Sequence, residues 1–249
     1  MKKLSIKGNG CTDIGNSRPL NEDYFKICDY LFVLADGIGG HNAGEIASKL
    51  AVDNIIDIIN NNLIKNLDDK NYQEIIKNAI NKTNEIVYKE SLKKNELNGM
   101  GTTIVLALYQ KPNIIHIANV GDSRAYLFRN GKLDLLTRDH SVTASMLRDG
   151  TIKKEEAYNH PYRHHLTQSI GTNDKLNVYT NFIEIIPEDK ILLCSDGLWD
   201  VLTDKQIVDI IKKNNSPKKI CQDLISQANN LKSQDNISSI IINISIIEE

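Results

Sequence analysis

Apolar positions along this chain follow two periods, and the change from one to the other marks the elements. Residues 31–35, Leu-Phe-Val-Leu-Ala, form an unbroken apolar run that reads as a buried strand. The run stops at Asp36, and Gly37, Gly39 and Gly40 follow closely. An unpaired carboxylate is costly to bury, which places Asp36 at the strand's end. The same arrangement recurs. The mostly apolar run 114–120 leads into Gly121-Asp122-Ser123-Arg124, and 191–194 leads through Ser195 into Asp196-Gly197. Asp235-Asn236 stands directly before the isoleucine-rich run 237–247. A turn explains any one of these Asp positions; an anionic cluster at a shared sheet edge explains them all.

The helical period governs other stretches. Ala43, Ile46, Ala47, Leu50, Ala51, Ile55, Ile58 and Ile59 predict an amphipathic helix beginning at Ala43, with a polar loop over 60–71. Tyr72, Ile75, Ile76, Ala79, Ile80, Thr83, Ile86 and Val87 predict a second. Residues 1–30 read as strands and turns, with Asn9-Gly10 and Gly15 as turn signals. Strands follow at 104–109 and 114–120, then a hairpin of 125–128 and 133–136 with a type I′ turn at Asn130-Gly131. Residues 138–175 break the pattern, with a short helix near 144–148 and His160, His164 and His165. These histidines suit a transition metal, but no further partner stands at ligand spacing, so a surface insertion is the preferred reading. Strands at 176–185 and 191–194, helices near 204–212 and 217–231, and the strand 237–247 complete the chain.

Strands and helices come in blocks. That predicts an α+β fold: two mostly antiparallel sheets packed together, with helices outside both. There is no internal repeat and no Pro- or Gly-rich linker, so 1–249 is expected to be a single domain. With 41% hydrophobic and 25% charged residues the composition is that of an ordinary globular protein. The formal net charge of −2 excludes a nucleic-acid binder that relies on bulk charge. The four cysteines have no paired metal-type spacing, so a reducing compartment is expected. The first residues lack a signal peptide's apolar stretch, and no run approaches the ~20 apolar residues of a membrane span. A cytoplasmic monomer is the resulting expectation.

Carboxylates without Cys or His partners select hard cations, Mg²⁺, Mn²⁺ or Ca²⁺. Gathered aspartates repel one another unless cations offset their charge. Arg18-Pro19-Leu20-Asn21-Glu22-Asp23 is either a solvated turn or a guanidinium fork for an oxyanion beside hard-cation ligands. Two ions bridged by one carboxylate can lower the pKa of a water and aim it. Together these parts suit metal-assisted hydrolysis of a phosphate ester. Rival chemistries leave no trace. The sixth residue after Cys11 is Ser17 and after Cys194 is Asp200, not the Arg of a cysteine phosphatase. Gly40 is followed by His41-Asn42, not by the Lys-Ser/Thr of a P-loop.

Arg18-x-x-Asn21-Glu22-Asp23, Ala35-Asp36-Gly37-Ile38-Gly39-Gly40-His41, Gly101-Thr102-Thr103, Gly121-Asp122-Ser123-Arg124, Ser195-Asp196-Gly197-Leu198-Trp199-Asp200 and Asp235-Asn236 resemble, in order, the motifs of the PP2C-type metal-dependent protein serine/threonine phosphatases, the bacterial branch above all. The resemblance implies an αββα four-layer sandwich that hydrolyses phosphoserine and phosphothreonine by attack of a metal-activated water. It implies two Mn²⁺ or Mg²⁺ ions, with a third possible. By similarity Asp36 bridges the pair, the Gly37 carbonyl binds one ion, and Asp196 and Asp235 complete a shell. Glu22 holds the other through water, with Asp23 behind it. Asp122 with Asp196 matches the third site, supported by Asp200, and Arg18 grips the phosphate. Residues 138–165 match a flap beside the site. The substrates implied are phosphorylated proteins, with a serine/threonine kinase working in opposition. One departure is Ile38, which stands where many eukaryotic members carry a His that protonates the leaving group. His41 and a water on the metals are the alternatives. Two rival readings are a non-catalytic relative that binds phosphoproteins, and a sporulation- or stress-type phosphatase dedicated to one regulator.

Overall fold

The structure, a computed structural model, describes residues 3–38, 43–65, 71–158, 160–172 and 174–247. The chain opens with strands β1 (Leu4–Asp13), β2 (Tyr24–Ile27), β3 (Leu31–Ala35) and the short β4 (Gly37–Ile38). Helices α1 (Gly44–Lys65) and α2 (Tyr72–Ser91) follow, then β5 (Gly101–Thr102), β6 (Ile104–Gln110), β7 (Ile114–Val120), β8 (Arg124–Arg129) and β9 (Lys132–Leu135). Next come α3 (Val142–Arg148), α4 (Lys154–Tyr158), β10 (Tyr179–Glu184) and β11 (Lys190–Cys194). The chain closes with α5 (Asp196–Trp199), α6 (Asp204–Lys213), α7 (Pro217–Asn230) and β12 (Ile237–Ile246).

One sheet has the order β1-β12-β11-β8-β9 and the other β10-β7-β6-β3-β2, every neighbouring pair antiparallel. The apolar runs are continuous because both faces of their strands are covered. In β3, Leu31, Val33 and Ala35 face the core made with α1 and α2, while Phe32 and Leu34 face the opposite sheet. In β12, Ile240, Ile242 and Ile244 enter the inter-sheet core, and Ile237 and Ile241 pack under α5, α6 and α7. The layers are therefore helix, sheet, sheet, helix. Each fully buried Leu or Ile contributes roughly 1.5–3 kcal/mol relative to exposure. Among the described residues no helix is long and apolar enough to cross a membrane.

The expected elements form, with three differences. Asn9-Gly10 is not a turn but lies inside β1, paired with Ile241 and Ile240. A Cβ at Gly8 or Gly10 would run into the rings of Phe32 and Phe25, so these glycines admit aromatic rings from the facing sheet. α1 runs past Ile59 to Lys65, because Leu63 still packs on the core beneath it. β10 starts at Tyr179, later than the predicted 176. The hairpin turn is as expected, with φ of 51° at Asn130 and 78° at Gly131.

Candidate metal centre

Antiparallel pairing gathers the aspartates at one edge of the sandwich. Cys194 at the end of β11 lies opposite Ser239 near the start of β12, which brings Asp196 beside Asp235. Val120 at the end of β7 pairs with Ile104 at the start of β6, and Leu34 near the end of β3 pairs with Val105. Asp122 and Asp36 therefore emerge together. Tyr24 pairs with Ala35, so Glu22 and Asp23 arrive beside Asp36.

A cavity of about 850 Å³ opens there, lined by Arg18, Glu22, Asp36, Gly37, Asp122, Asp196 and Asp235. Arg18, Glu22, Asp36, Gly37, Asp122, Asp196 and Asp235, expected together from the sequence, thus line one space, with Asp200 beside them. Gly39, Gly40 and His41 lie outside the described residues. Asp23 stands behind the wall, buried, accepting a hydrogen bond from the Ser195 hydroxyl at 2.7 Å.

The backbone is fixed tightly round Asp36. Its N–H donates to Thr103 Oγ1 at 3.0 Å, and its carbonyl accepts from the Thr102 hydroxyl at 2.8 Å and the Thr103 N–H at 2.9 Å. Thr103 Oγ1 in turn meets Ser123 Oγ at 2.6 Å. Gly37 must be glycine, since a Cβ there would collide with the carbonyls of Gly44 and Glu22. Asn236 is a clamp. Its Oδ1 accepts from the Glu22 N–H at 2.8 Å, and its Nδ2 donates to the carbonyls of Ile14 and Leu20 at 2.8 and 3.0 Å. Trp199 Nε1 donates to the Asp122 carbonyl at 3.0 Å and so ties α5 to the β7–β8 turn.

The electrostatics are those of crowded, desolvated anions. Burial, then the nearby Asp23, Asp196, Asp122 and Asp235, holds the Asp36 carboxyl well above the usual carboxylate range. Asp122 is raised likewise, by burial and then by Asp196. Burial and the Asp235 charge push Asp196 up to about 7, and burial brings Asp23 to about 7. Glu22 is raised by burial and by Glu45. Arg18 donates to Asp235 Oδ2 at 2.6 Å, so in this structure it sits on a carboxylate at the rim.

Such a set of oxygen donors fits hard divalent cations. Asp196 Oδ1, Asp23 Oδ1 and Glu45 Oε2 are buried without a hydrogen-bond partner, the condition a cation relieves. Among the described residues no three His, Cys, Asp or Glu side chains close round one point at ligand spacing, so the carboxylates line a wall rather than form a finished cage.

Three groups escaped the sequence reading. Glu45 sits in the first turn of α1, beside Glu22. Arg163 pairs with Asp200 at 2.8 Å. His164, half exposed as a surface residue, also lines the cavity, with Nδ1 3.9 Å from Asp196 Oδ2 and Nε2 accepting from Arg163 Nε at 2.7 Å. The available signal was three basic residues in a row, 163–165, in a segment without apolar period.

Known proteins resemble this chain in sequence and fold. The serine/threonine phosphatase stp of Listeria welshimeri is 35% identical over 250 residues, covering 96% of this chain and 96% of that protein. The crystal structure of the serine/threonine phosphatase Stp1 from Staphylococcus aureus matches with a TM-score of 0.88 and 32% identity, over 100% of this chain and 98% of that one. The catalytic domain of the serine/threonine protein phosphatase PstP, in complex with two manganese ions, matches with a TM-score of 0.85 and 27% identity, over 98% and 100%. The family model for protein phosphatase 2C matches residues 13–146 and 181–237. With its sheet-edge carboxylates and this match over most of its length, the chain belongs to the protein phosphatase 2C family.

Proposed function

We propose that this chain is a Mn²⁺- or Mg²⁺-dependent protein serine/threonine phosphatase whose centre is the 850 Å³ cavity. The observation that carries the reading is the convergence of Asp36, Asp122, Asp196 and Asp235 on one space, with their mutual repulsion uncompensated by any like number of cationic side chains. The PstP catalytic domain, similar over nearly its whole length, binds two manganese ions.

In this reading Asp36, the Gly37 carbonyl, Asp196 and Asp235 would hold the two ions, with Glu22 contributing through water and Asp23 behind it. Asp122 with Asp196 would hold a third, supported by Asp200. Bound there, the ions supply the charge that polarises the phosphoryl group and lowers the pKa of a water. The chain's own residues do the rest. Thr102 and Thr103 hold the Asp36 backbone so that its carboxyl keeps one direction. Asn236 fixes the segment that presents Arg18 and Glu22. A guanidinium has five N–H donors, so the bond from Arg18 to Asp235 leaves others for the phosphoryl oxygens. The same reading takes 1–249 as one domain with a flap at about 138–165. It makes the protein a cytoplasmic monomer acting on the substrates of a serine/threonine kinase.

The test is hydrolysis of p-nitrophenyl phosphate and of a phosphothreonine peptide with Mn²⁺, with chelator, and by Asp36→Asn. Turnover is expected only with metal and with Asp36 intact. Undiminished turnover in chelator or in the variant overturns the two-metal reading.

A further inference from the structure

A second cavity, about 570 Å³ in volume, lies beside the acidic one, between α3 and α4 on one side and the turn joining α5 to α6 on the other. The two cavities share a wall. Arg163, His164, Asp200 and Val201 line both, and the Arg163–Asp200 pair stands on the border at 2.8 Å.

The chemistry changes across that border. The indole of Trp199 lines the second cleft, with the Arg124 guanidinium 3.5 Å from its ring centroid. Leu135, Ala144, Leu147 and Ala157 add apolar wall. Leu135 is 48% exposed and Leu147 36%, so leucine surface stands in water on a concave face. Burying it under a partner is favourable. The ionised side chains cancel, because Arg124, Lys154 and Arg163 face Asp139, Asp200 and Asp204. A neutral cleft gives a charged peptide no advantage; apolar area is what it has to offer.

We propose that this cleft receives the substrate polypeptide next to its phosphorylated residue and selects a large apolar side chain there. The inference rests on the phosphatase reading and deepens it. Continuity carries it. A phosphoryl group in the acidic cavity delivers the flanking chain to the Arg163–Asp200 border. An extended chain advances about 3.3–3.6 Å per residue, so a residue only a few positions away crosses it. The volume falls within the roughly 300–1,000 Å³ of ligand pockets, room for more than one side chain. The covering partner is thus a substrate segment, and its selectivity is set by size and apolarity rather than charge.

The experiment uses the full chain with Mn²⁺ and phosphothreonine peptides built from Gly, Gln and Asn. One leucine is walked through the positions on either side of the phosphothreonine. We expect kcat/KM to rise about tenfold at one or two adjacent positions, mainly through KM, the worth of one partly buried leucine. Glutamate at the same position gives no rise. In Leu147→Glu and, separately, in Leu135→Glu, the ratio of leucine peptide to parent peptide falls towards one. Circular dichroism and thermal melting verify that each variant folds, and either folded variant suffices. A flat leucine walk overturns the proposal, as does a preference that survives in a folded variant. p-Nitrophenyl phosphate separates the two readings. No metal-dependent hydrolysis of it defeats the phosphatase itself, whereas hydrolysis with a flat walk defeats only the cleft.

Discussion

Asp189 and Asp36 are both aspartates at a strand end, one just before β11 and one just after β3, yet their surroundings are opposite. Asp189 receives Arg129 Nε at 2.8 Å and Nη2 at 2.6 Å, and the Ile186 N–H at 2.8 Å. Asp139 is held in the same way, by Arg124 Nε and Nη2 at 3.1 and 2.7 Å. Asp36 instead faces Asp23, Asp196, Asp122 and Asp235. A carboxylate that serves the fold is matched within the fold. Asp36, by contrast, has no guanidinium facing it among the described residues, and its nearest charged neighbours are carboxyls, the environment a divalent cation would balance.

Exchanging members of the two sets has opposite consequences. The largest effect is on turnover. Asp36→Asn with Mn²⁺ is expected to lose more than about a hundredfold in kcat, since even residues supporting a ligand are worth 10–100-fold. The same variant without metal is expected to melt higher than the parent, because a repelling charge has gone. Retained activity in a steady-state assay would erase the distinction.

The next effect belongs to pH. In the unfolded chain aspartates lose their protons near pH 3.9. In the fold Asp23 and Asp196 keep theirs up to about 7. Between those values the folded form binds more protons, so the stability of the metal-free protein falls as pH rises from about 4 to about 7. The loss should reach several kcal/mol, on the order of 10 °C in Tm. Saturating Mn²⁺ should flatten the slope. Melting curves in chelator and in Mn²⁺ across that window check this, and parallel slopes would contradict it.

Arg129→Met addresses the matched set. It leaves Asp189 buried and short of partners, costing about 2 kcal/mol by urea denaturation with kcat unaltered. A fall in kcat at full folding would show that the two sets are not independent. The smallest effect is expected from Thr103→Val, which removes the acceptor for the Asp36 N–H and loosens the carboxylate's aim. About a tenfold drop in kcat is expected, with Mn²⁺ affinity weakened in calorimetry.

Much of this was legible in the residues. The strands that end at Asp36, Asp122 and Asp196 announced themselves because both faces of each strand are buried, which makes the apolar run continuous and its stop abrupt. α1 and α2 were legible through the helical period. What stayed hidden depends on contacts between distant segments. Asn9-Gly10 looks like a turn until the rings of Phe25 and Phe32 are placed against it. The part of Asn236 as clamp is set by carbonyls more than 200 residues away, at Ile14 and Leu20. His164 and Arg163 lie in a segment without period, so only the folded chain shows them leaning on Asp196 and Asp200.

The Asn236 clamp also sets a rule for synthesis. Its three side-chain hydrogen bonds reach back to Ile14, Leu20 and Glu22, and β1 pairs along its whole length with β12. Residues 14–22 therefore cannot take up their places until residue 236 has left the ribosome. A chain that stops short of Asn236 lacks the clamp, and with it the placement of Arg18 and Glu22.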